Sequence, residues 1–208
     1  MFKGFATEEE MQKAWKILKE TGAYREGHFY FQELGFHYNN FFQLPLAFQY
    51  SRYARILSVI LGRILRRAGI LNRFDKDKRF TIITPVEMGI PVAFWTGENL
   101  GADRVLWATR YDDKLDFPQF VEISEKDQVI IVLDILFTGK LTMKLIDLIY
   151  KKGASIESIA VIVDKREKKV DFKNIPVLSL LEVEVGKYDP ANCPLCQKDM
   201  ELTEVRLI

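Results

Sequence analysis

The sequence predicts an α/β fold, a parallel sheet flanked by helices with a small N-terminal lobe, and two observations carry that prediction. Short apolar runs at 80–84, 129–133 and 158–163 alternate with stretches of helical spacing. The run Val129-Ile130-Ile131-Val132-Leu133 has no polar alternation and is mostly β-branched, which is the pattern of a strand buried on both faces. At 208 residues the chain fits one domain, 1–208, with about 1–45 as an N-terminal lobe and 46–208 as a core with a C-terminal tail.

The elements follow in order. Thr7-Glu8-Glu9-Glu10 reads as a capping box, Thr7 capping and Glu10 reaching back. A helix follows with Met11, Trp15 and Leu18 on one face, and Gly22 stops it. The aromatic stretches Phe29-Tyr30-Phe31 and Phe41-Phe42 predict short strands around a turn near Gly35. Ile56, Leu57, Ile60, Leu61, Ile64 and Leu65 recur at helical spacing over 51–68, and Gly69 ends that helix. The local basic run Arg63, Arg66, Arg67 reads as its solvated face.

Phe80-Thr81-Ile82-Ile83-Thr84 is a buried strand, followed by a helix from near Gly89 to near Gly101 and a strand over 104–108. The polar stretch 111–119 is the expected mobile loop. Further strands are expected at 129–133, 158–163 and 177–181, and a helix at 142–152. In such a sheet a ligand binds beyond the carboxyl ends of the strands.

Composition excludes several classes. A net charge of +1 gives no overall bias toward nucleic acid or anionic membrane. No apolar stretch reaches the ~18 residues of a membrane span, and the acidic Glu8-Glu9-Glu10 is unlike a signal peptide. The 2 cysteines share one motif, Cys193-Pro194-Leu195-Cys196, which suits a reducing cytoplasm better than a disulfide framework. That pair could hold half of a zinc site, but a tetrahedron needs two more ligands and the chain has 2 histidines in all, so no metal held by protein side chains is expected.

The segment 129–142, VIIVLDILFTGKLT, carries the chemistry. A buried strand runs out into Asp134, then a turn with Thr138-Gly139-Lys140, then a helix. Backbone N–H groups at such a turn and helix start make an anion site, and Thr142 can add a hydroxyl. Asp134 at the strand end could accept hydrogen bonds from sugar hydroxyls, so a ribose monophosphate suits both features. A simple strand–turn–helix connection with a polar turn accounts for the same residues. The glycine spacing and Lys-Ser/Thr pair of a Walker loop are absent.

On Asp134, Ile135, Leu136, Thr138 and Gly139, the segment resembles the phosphoribosyl-pyrophosphate (PRPP) signature of type I phosphoribosyltransferases. Lys140 is closer to that signature's purine-salvage branch. From about Met11 to Leu207 the chain resembles the orotate phosphoribosyltransferase family. The stretch Thr21-Gly22-Ala23-Tyr24-Arg25-Glu26-Gly27-His28-Phe29 is similar to the family's N-terminal pattern, with Arg25 at the place of a substrate-facing lysine. Leu34-Gly35-Phe36-His37 and Phe41-Phe42 are similar to a motif whose aromatic pair packs on the orotate ring. Arg110-Tyr111-Asp112-Asp113-Lys114 keeps the Arg-x-x-x-Lys spacing of a catalytic loop that crosses to the partner subunit. Val163-Asp164-Lys165-Arg166-Glu167 resembles an Asp-Arg-x-Glu motif, with Lys165 in place of an orotate-contacting arginine. Tyr188-Asp189-Pro190 and the Cys193–Cys196 string match the C-terminal tail of one bacterial branch.

The resemblance implies a type I phosphoribosyltransferase fold, a homodimer, and synthesis of orotidine 5′-monophosphate and pyrophosphate from orotate and PRPP in pyrimidine biosynthesis. Mg2+ would arrive carried by PRPP, with no protein side chain as its ligand. Arg110, Lys114 and Asp134 are the implied catalytic residues. Asp134, Thr138, Gly139, Lys140 and Thr142 are implied for PRPP, and Arg25, His37, Phe41, Phe42 and Lys165 for the base. His28 reads as structural. Plain readings stand beside these: a solvated loop for Arg110 and Lys114, core packing for Phe41 and Phe42, and ion pairing of Lys165 with Asp164 or Glu167.

The chain departs from the signature at several points. Leu133 replaces its first acidic residue, Phe137 a small polar or acidic one, and Leu141 a phosphate-contacting Ser/Thr. Thr84-Pro85-Val86-Glu87-Met88-Gly89 replaces a Gly-Pro-x-x-Gly-Gly loop, where Thr84 and Met88 would crowd pyrophosphate and Glu87 would add negative charge. Asp116-Phe117 stands in place of a His-Gly pair. These departures motivate two alternatives: a nucleotide-binding or regulatory protein that kept the fold, and a transferase for another base.

Overall fold

The structure, a computed structural model, describes residues 5–85, 87–111, 114–166 and 170–206. Helix α1 (Glu8–Glu20) opens on the expected capping box. The Glu10 N–H donates to Thr7 Oγ1 at 3.2 Å, and the Thr7 N–H donates to Glu10 Oε2 at 3.0 Å. A hairpin of β1 (Tyr24–Phe31) and β2 (Phe36–Phe42) follows, turning at Gly35, whose φ of 69° favours glycine. The short α2 (Pro45–Phe48) leads into α3 (Ser51–Arg67).

The core then alternates strand and helix. Its elements are β3 (Arg79–Thr84), α4 (Ile90–Leu100) and β4 (Arg104–Trp107), then a small hairpin of β5 (Thr109–Tyr111) and β6 (Lys114–Asp116). Next come β7 (Asp127–Leu136), α5 (Lys140–Lys151), β8 (Ser155–Asp164) and β9 (Val177–Glu182). The chain closes with β10 (Lys187–Tyr188) and β11 (Leu202–Val205).

The five core strands are all parallel, in the order β4-β3-β7-β8-β9. Strand alternation divides their side chains between two cores. Ile130 and Val132 pack with α1, α3 and α4 on one face, while Val129, Ile131 and Leu133 pack with α5 on the other. The sequence reading and the structure differ at three places. The strand expected to end at 133 continues to Leu136, carrying Asp134 inside it. The expected mobile loop is partly the β5–β6 hairpin, registered Arg110↔Leu115 and lying beside α5 of its own chain; its Asp112 and Asp113 fall outside the described residues. The second sheet, β10-β2-β1-β11, draws two strands from the C-terminal tail, while α1 packs on β9 and α3 of the core.

The arginine face of α3 does more than meet water. Arg67 Nη1 donates to Glu10 Oε1 at 3.1 Å and its Nε donates to the Phe5 carbonyl at 2.8 Å. Arg66 Nη1 donates to Asn99 Oδ1 at 3.0 Å. The two arginines therefore tie α1 and the end of α4 to α3. Burial pushes the Glu10 carboxyl up, but hydrogen bonds from Arg67 and Thr7 outweigh it and hold that carboxyl below its usual range.

Asp127 anchors the opposite end of the sheet from the carboxyl ends. It is fully buried and accepts from Arg79 Nη2 at 2.8 Å, Thr81 Oγ1 at 2.9 Å and the Ser124 N–H at 2.9 Å, with Arg104 as a further ion-pair partner. Burial pushes its carboxyl up; the hydrogen bonds of Ser124 and Thr81 and the charge of Arg104 win and lower it. Because the folded state favours the ionised form, this contribution is present above the unfolded carboxylate range and fades as pH falls through the lowered folded value. Asp127→Ala strands two arginines at the sheet edge and is expected to cost about 3 kcal/mol, roughly 10 °C in Tm at neutral pH. A thermal melt followed by circular dichroism measures it.

Candidate active site

The carboxyl ends of the core strands meet the connection from β7 to α5, and two cavities open there. The first has a volume of about 330 Å³, within the range of small-molecule sites. Asp134, Ile135 and Phe137 line it from β7 and the turn, Phe31, Phe41 and Phe42 from the lobe, and Met88, Lys165 and Arg206 are among the remaining lining residues. The second, about 250 Å³, is lined by Arg110, Lys114 and Leu115 of the hairpin and by Lys140, Leu141 and Lys144 of α5.

Asp134 is 5% exposed. Burial pushes its carboxyl up to about 6, against hydrogen bonding from the backbone at Ile135 and at Asp134 itself. Lys165, 3% exposed, follows β8 and enters the same cavity. Its Nζ donates to the Asn40 carbonyl at 3.1 Å and lies 5.4, 5.5 and 5.6 Å from the ring centroids of Tyr38, Phe42 and Phe137. Burial brings its ammonium down to about 8. Asp164 does not neutralise it. That carboxylate is held by Arg166, whose Nε donates to Oδ1 at 2.8 Å and to Oδ2 at 3.1 Å. Glu167, the other partner expected from the sequence, falls outside the described residues.

Phe41 and Phe42 serve both of their sequence readings. They line the cavity, and they also pack, Phe42 at 4.9 Å from Tyr24 and Phe41 at 5.6 Å from Phe29 between ring centroids. Two expected base-side residues stand elsewhere. Arg25 is exposed and its Nε donates to the Gly22 carbonyl at 3.3 Å. His37 turns from the cavity to the other side of the lobe, where its Nδ1 is 2.8 Å from His28 Nε2. β1 carries an irregularity between Glu26 and Phe29 that shifts the register, so the pairs Arg25↔Phe41 and Tyr30↔His37 lie on opposite sides of it.

The turn itself follows from Gly139. Its φ of 73° favours glycine, and a Cβ there would stand 2.8 Å from Phe172 Cζ. Thr138 is exposed and its Oγ1 accepts from the Lys140 N–H at 3.4 Å; Thr142 is buried in the first turn of α5. The positive end of the α5 dipole and the cations Arg110, Lys114, Lys140 and Lys144 thus converge on one cavity. Gly139→Ala is expected to destabilise by about 2 kcal/mol through left-handed strain and the Phe172 contact. The midpoint of urea unfolding reports it.

The departures from the sequence signature resolve individually. Leu133 faces the α5 core, so an acidic residue at that position would not reach the cavity of Asp134 without a change in strand register. Thr84 is buried, and a Cβ on Gly89 would fall 2.0 Å from its Oγ1, so the hydroxyl folds inward beneath Gly89 instead of filling the loop mouth. Met88 does line the first cavity. Val86 lies outside the described residues. Lys144 and Arg206 were missed by sequence reasoning. Lys144 sits four residues after Lys140, one helical turn away on the same face, a usable signal. Arg206 reaches the cavity only because β11 pairs with β1 in parallel, a contact with no local signature.

No family model matches the chain. Among curated proteins, it is 31% identical over 186 residues to the orotate phosphoribosyltransferase of Chlorobium phaeobacteroides, covering 89% of this chain and 90% of that one. It is 30% identical over 190 residues to the orotate phosphoribosyltransferase of Carboxydothermus hydrogenoformans, covering 91% and 94%. Among solved structures, it matches orotate phosphoribosyltransferase from Aeropyrum pernix with a TM-score of 0.62 at 16% identity, covering 81% and 92% of the two chains. It also matches the Mycobacterium tuberculosis enzyme of that name in complex with inorganic phosphate, with a TM-score of 0.58 at 15% identity, covering 84% and 96%.

Proposed function

The chain belongs to the orotate phosphoribosyltransferase family, and from that premise we propose that it transfers the phosphoribosyl group of PRPP to orotate, giving orotidine 5′-monophosphate and pyrophosphate. The observation that carries this reading is the pairing of the two cavities along one strand–turn–helix. One combines aromatic rings with a buried lysine and a buried acid; the other gathers four cations at a helix N-terminus.

Orotate is a planar anion. Phe41, Phe42 and Phe137 offer its ring apolar contact, and Lys165 with Arg206 offer its carboxylate positive charge. Asp134, ionised above about pH 6, accepts hydrogen bonds from the ribose hydroxyls and places the anomeric carbon against the base. The orotate ring nitrogen forms its bond to that carbon as the bond to the pyrophosphate oxygen breaks, and the proton of the nitrogen passes to the departing pyrophosphate or to water. Negative charge grows on the departing group, where Arg110, Lys114, Lys140 and Lys144 stabilise it.

The protein offers a divalent cation a single carboxylate at the first cavity, Asp134, and cations at the second. Mg2+ would therefore be held by the oxygens of PRPP, and Asp134 is left to the ribose hydroxyls. The ion would supply further charge neutralisation to the pyrophosphate. A homodimer belongs to this reading, and exposed Phe94, Trp107 and Phe120 offer apolar surface for one. No helix among the described residues is long and apolar enough to cross a membrane, and the free thiols Cys193 and Cys196 suit a reducing cytoplasm.

Loss of orotate absorbance on mixing protein, orotate, PRPP and magnesium tests the reaction, with pyrophosphate release matching it mole for mole. Unchanged orotate with PRPP still binding by calorimetry would overturn transfer in favour of a nucleotide-binding role. The intrusion of Met88 into the first cavity is what favours that second reading.

A further inference from the structure

The side chains of His28, His37, Cys193 and Cys196 bring their ligand atoms within 4.8 Å of one another, and none of the four lines the cavity of Phe41 and Phe42. Cys193 Sγ is 3.5 Å from His28 Nε2. Cys196 Sγ is 3.7 Å from His28 Nε2 and 3.4 Å from His37 Nδ1. From these four residues we infer a structural zinc site of Cys2His2 type that fastens the C-terminal tail to the lobe.

The distances fit the ion. With Zn–S of about 2.3 Å and Zn–N of about 2.0–2.1 Å, a regular tetrahedron separates sulfur from nitrogen by about 3.5 Å. The three sulfur–nitrogen separations bracket that value. The two nitrogens, 2.8 Å apart, need to open by about 0.5 Å, to the ~3.3 Å of the same tetrahedron. The remaining ring nitrogen of His28, Nδ1, lies 3.0 Å from the Met200 carbonyl. Donation to that carbonyl puts the proton on Nδ1 and leaves the Nε2 lone pair facing the cluster, the outer-shell arrangement that orients ligating histidines. Three of the four residues are buried and Cys196 is exposed; four protein ligands fill a tetrahedron and leave no coordination position for a substrate. Such a site is structural rather than catalytic.

Its placement gives it a task. His28 lies in β1 and His37 in β2, while the cysteines lie in the turns between β10 and β11. Four ligands from three separate segments would be joined at one atom. The same strands carry Phe41 and Phe42 into the cavity, and the tail after Cys196 delivers β11 and Arg206. Among the described residues, the lobe's own apolar cluster has Phe29, Phe31 and Tyr38 as its buried members, so a metal staple would add to what packing supplies. The sequence offered the cysteines as half of a site, with Mg2+ on PRPP as the expected metal; the fold brings both histidines to the same point.

The test uses the full chain purified without added chelator. Metal analysis by mass spectrometry is expected to return about one zinc per chain. Replacement by Co2+ alone is expected to give a thiolate-to-cobalt charge-transfer band and the strong visible absorption of a tetrahedral site. Cys196→Ser, at the most exposed ligand, should lose that band and bind zinc at least tenfold more weakly, while the wild-type protein should melt at lower temperature after chelation and recover with zinc. Should Cys196→Ser fail to fold, zinc and cobalt measurements on the wild-type chain decide alone. Less than a tenth of an equivalent of zinc after incubation with the ion, with no cobalt–thiolate band, overturns the site. A Cys193–Cys196 disulfide in the reduced-buffer preparation, with the same melt in zinc and in chelator, overturns it equally.

Discussion

Lys114→Ala is expected to lower orotate turnover by about 10²–10³-fold while leaving the melting temperature within ~1 °C, and Arg110→Ala to act in the same direction. Both side chains line the cavity at the start of α5 with Lys140 and Lys144, so the loss is of charge where pyrophosphate departs and not of packing. Lys114 is exposed on a two-stranded hairpin whose removal of one ammonium leaves the sheet hydrogen bonds in place. The effect should fall on kcat and on kcat/KM together, because an interaction made in the transition state is what is removed. Initial rates over a range of PRPP concentrations separate the outcomes. A variant whose KM for PRPP rises at unchanged kcat would assign Lys114 to ground-state binding; unchanged kinetics would sink its role in the reaction.

The core was legible because each of its strands announces itself locally. The runs of 80–84 and 129–133 are short, apolar and β-branched, and helix α3 repeats its apolar positions with a moment strong enough to find without any partner. The lobe was half legible. Its hairpin could be read from the aromatics and Gly35, but β10 and β11 are 2 and 4 residues long and earn their place only by pairing with β2 and β1 from far along the chain. No local pattern encodes such a pairing.

The site shows the same division. Asp134, Gly139 and Lys140 sit on one continuous segment and could be placed by its strand–turn–helix pattern. Resemblance supplied Lys165, Phe41 and Phe42, and the structure brings them to the cavity with Asp134. It also supplied Arg25 and His37, which do not line that cavity: Arg25 is exposed, and His37 contacts His28, a pairing of residues nine apart that no local pattern announces. Departures such as Leu133 looked costly as letters in a motif. In three dimensions Leu133 belongs to the α5 core, and the residues of that strand that line the cavity are Asp134 and Ile135.

Lys165→Met is expected to raise KM for orotate by roughly ten- to a hundredfold, the loss of a charge-assisted hydrogen bond worth about 1.5–3 kcal/mol. Methionine keeps the length and the contacts with Tyr38, Phe42 and Phe137, so the lobe should remain packed. The pH dependence fixes the sign. Burial lowers the Lys165 ammonium to about 8, so orotate binding through its charge is full well below that value and is lost as pH rises through it. Burial raises the Asp134 carboxyl to about 6, so its hydrogen bonds to ribose as a carboxylate are present above that value and are lost as pH falls through it. The wild-type kcat/KM should therefore trace a bell between about pH 6 and 8. Lys165→Met should lack the alkaline limb yet keep the acid one, and Lys165→Arg should move the alkaline limb out of the measurable range, since a guanidinium stays charged. An alkaline limb that persists unchanged in Lys165→Met would transfer that ionisation to another group and leave Lys165 as a packed, cation–π-bound residue of the lobe.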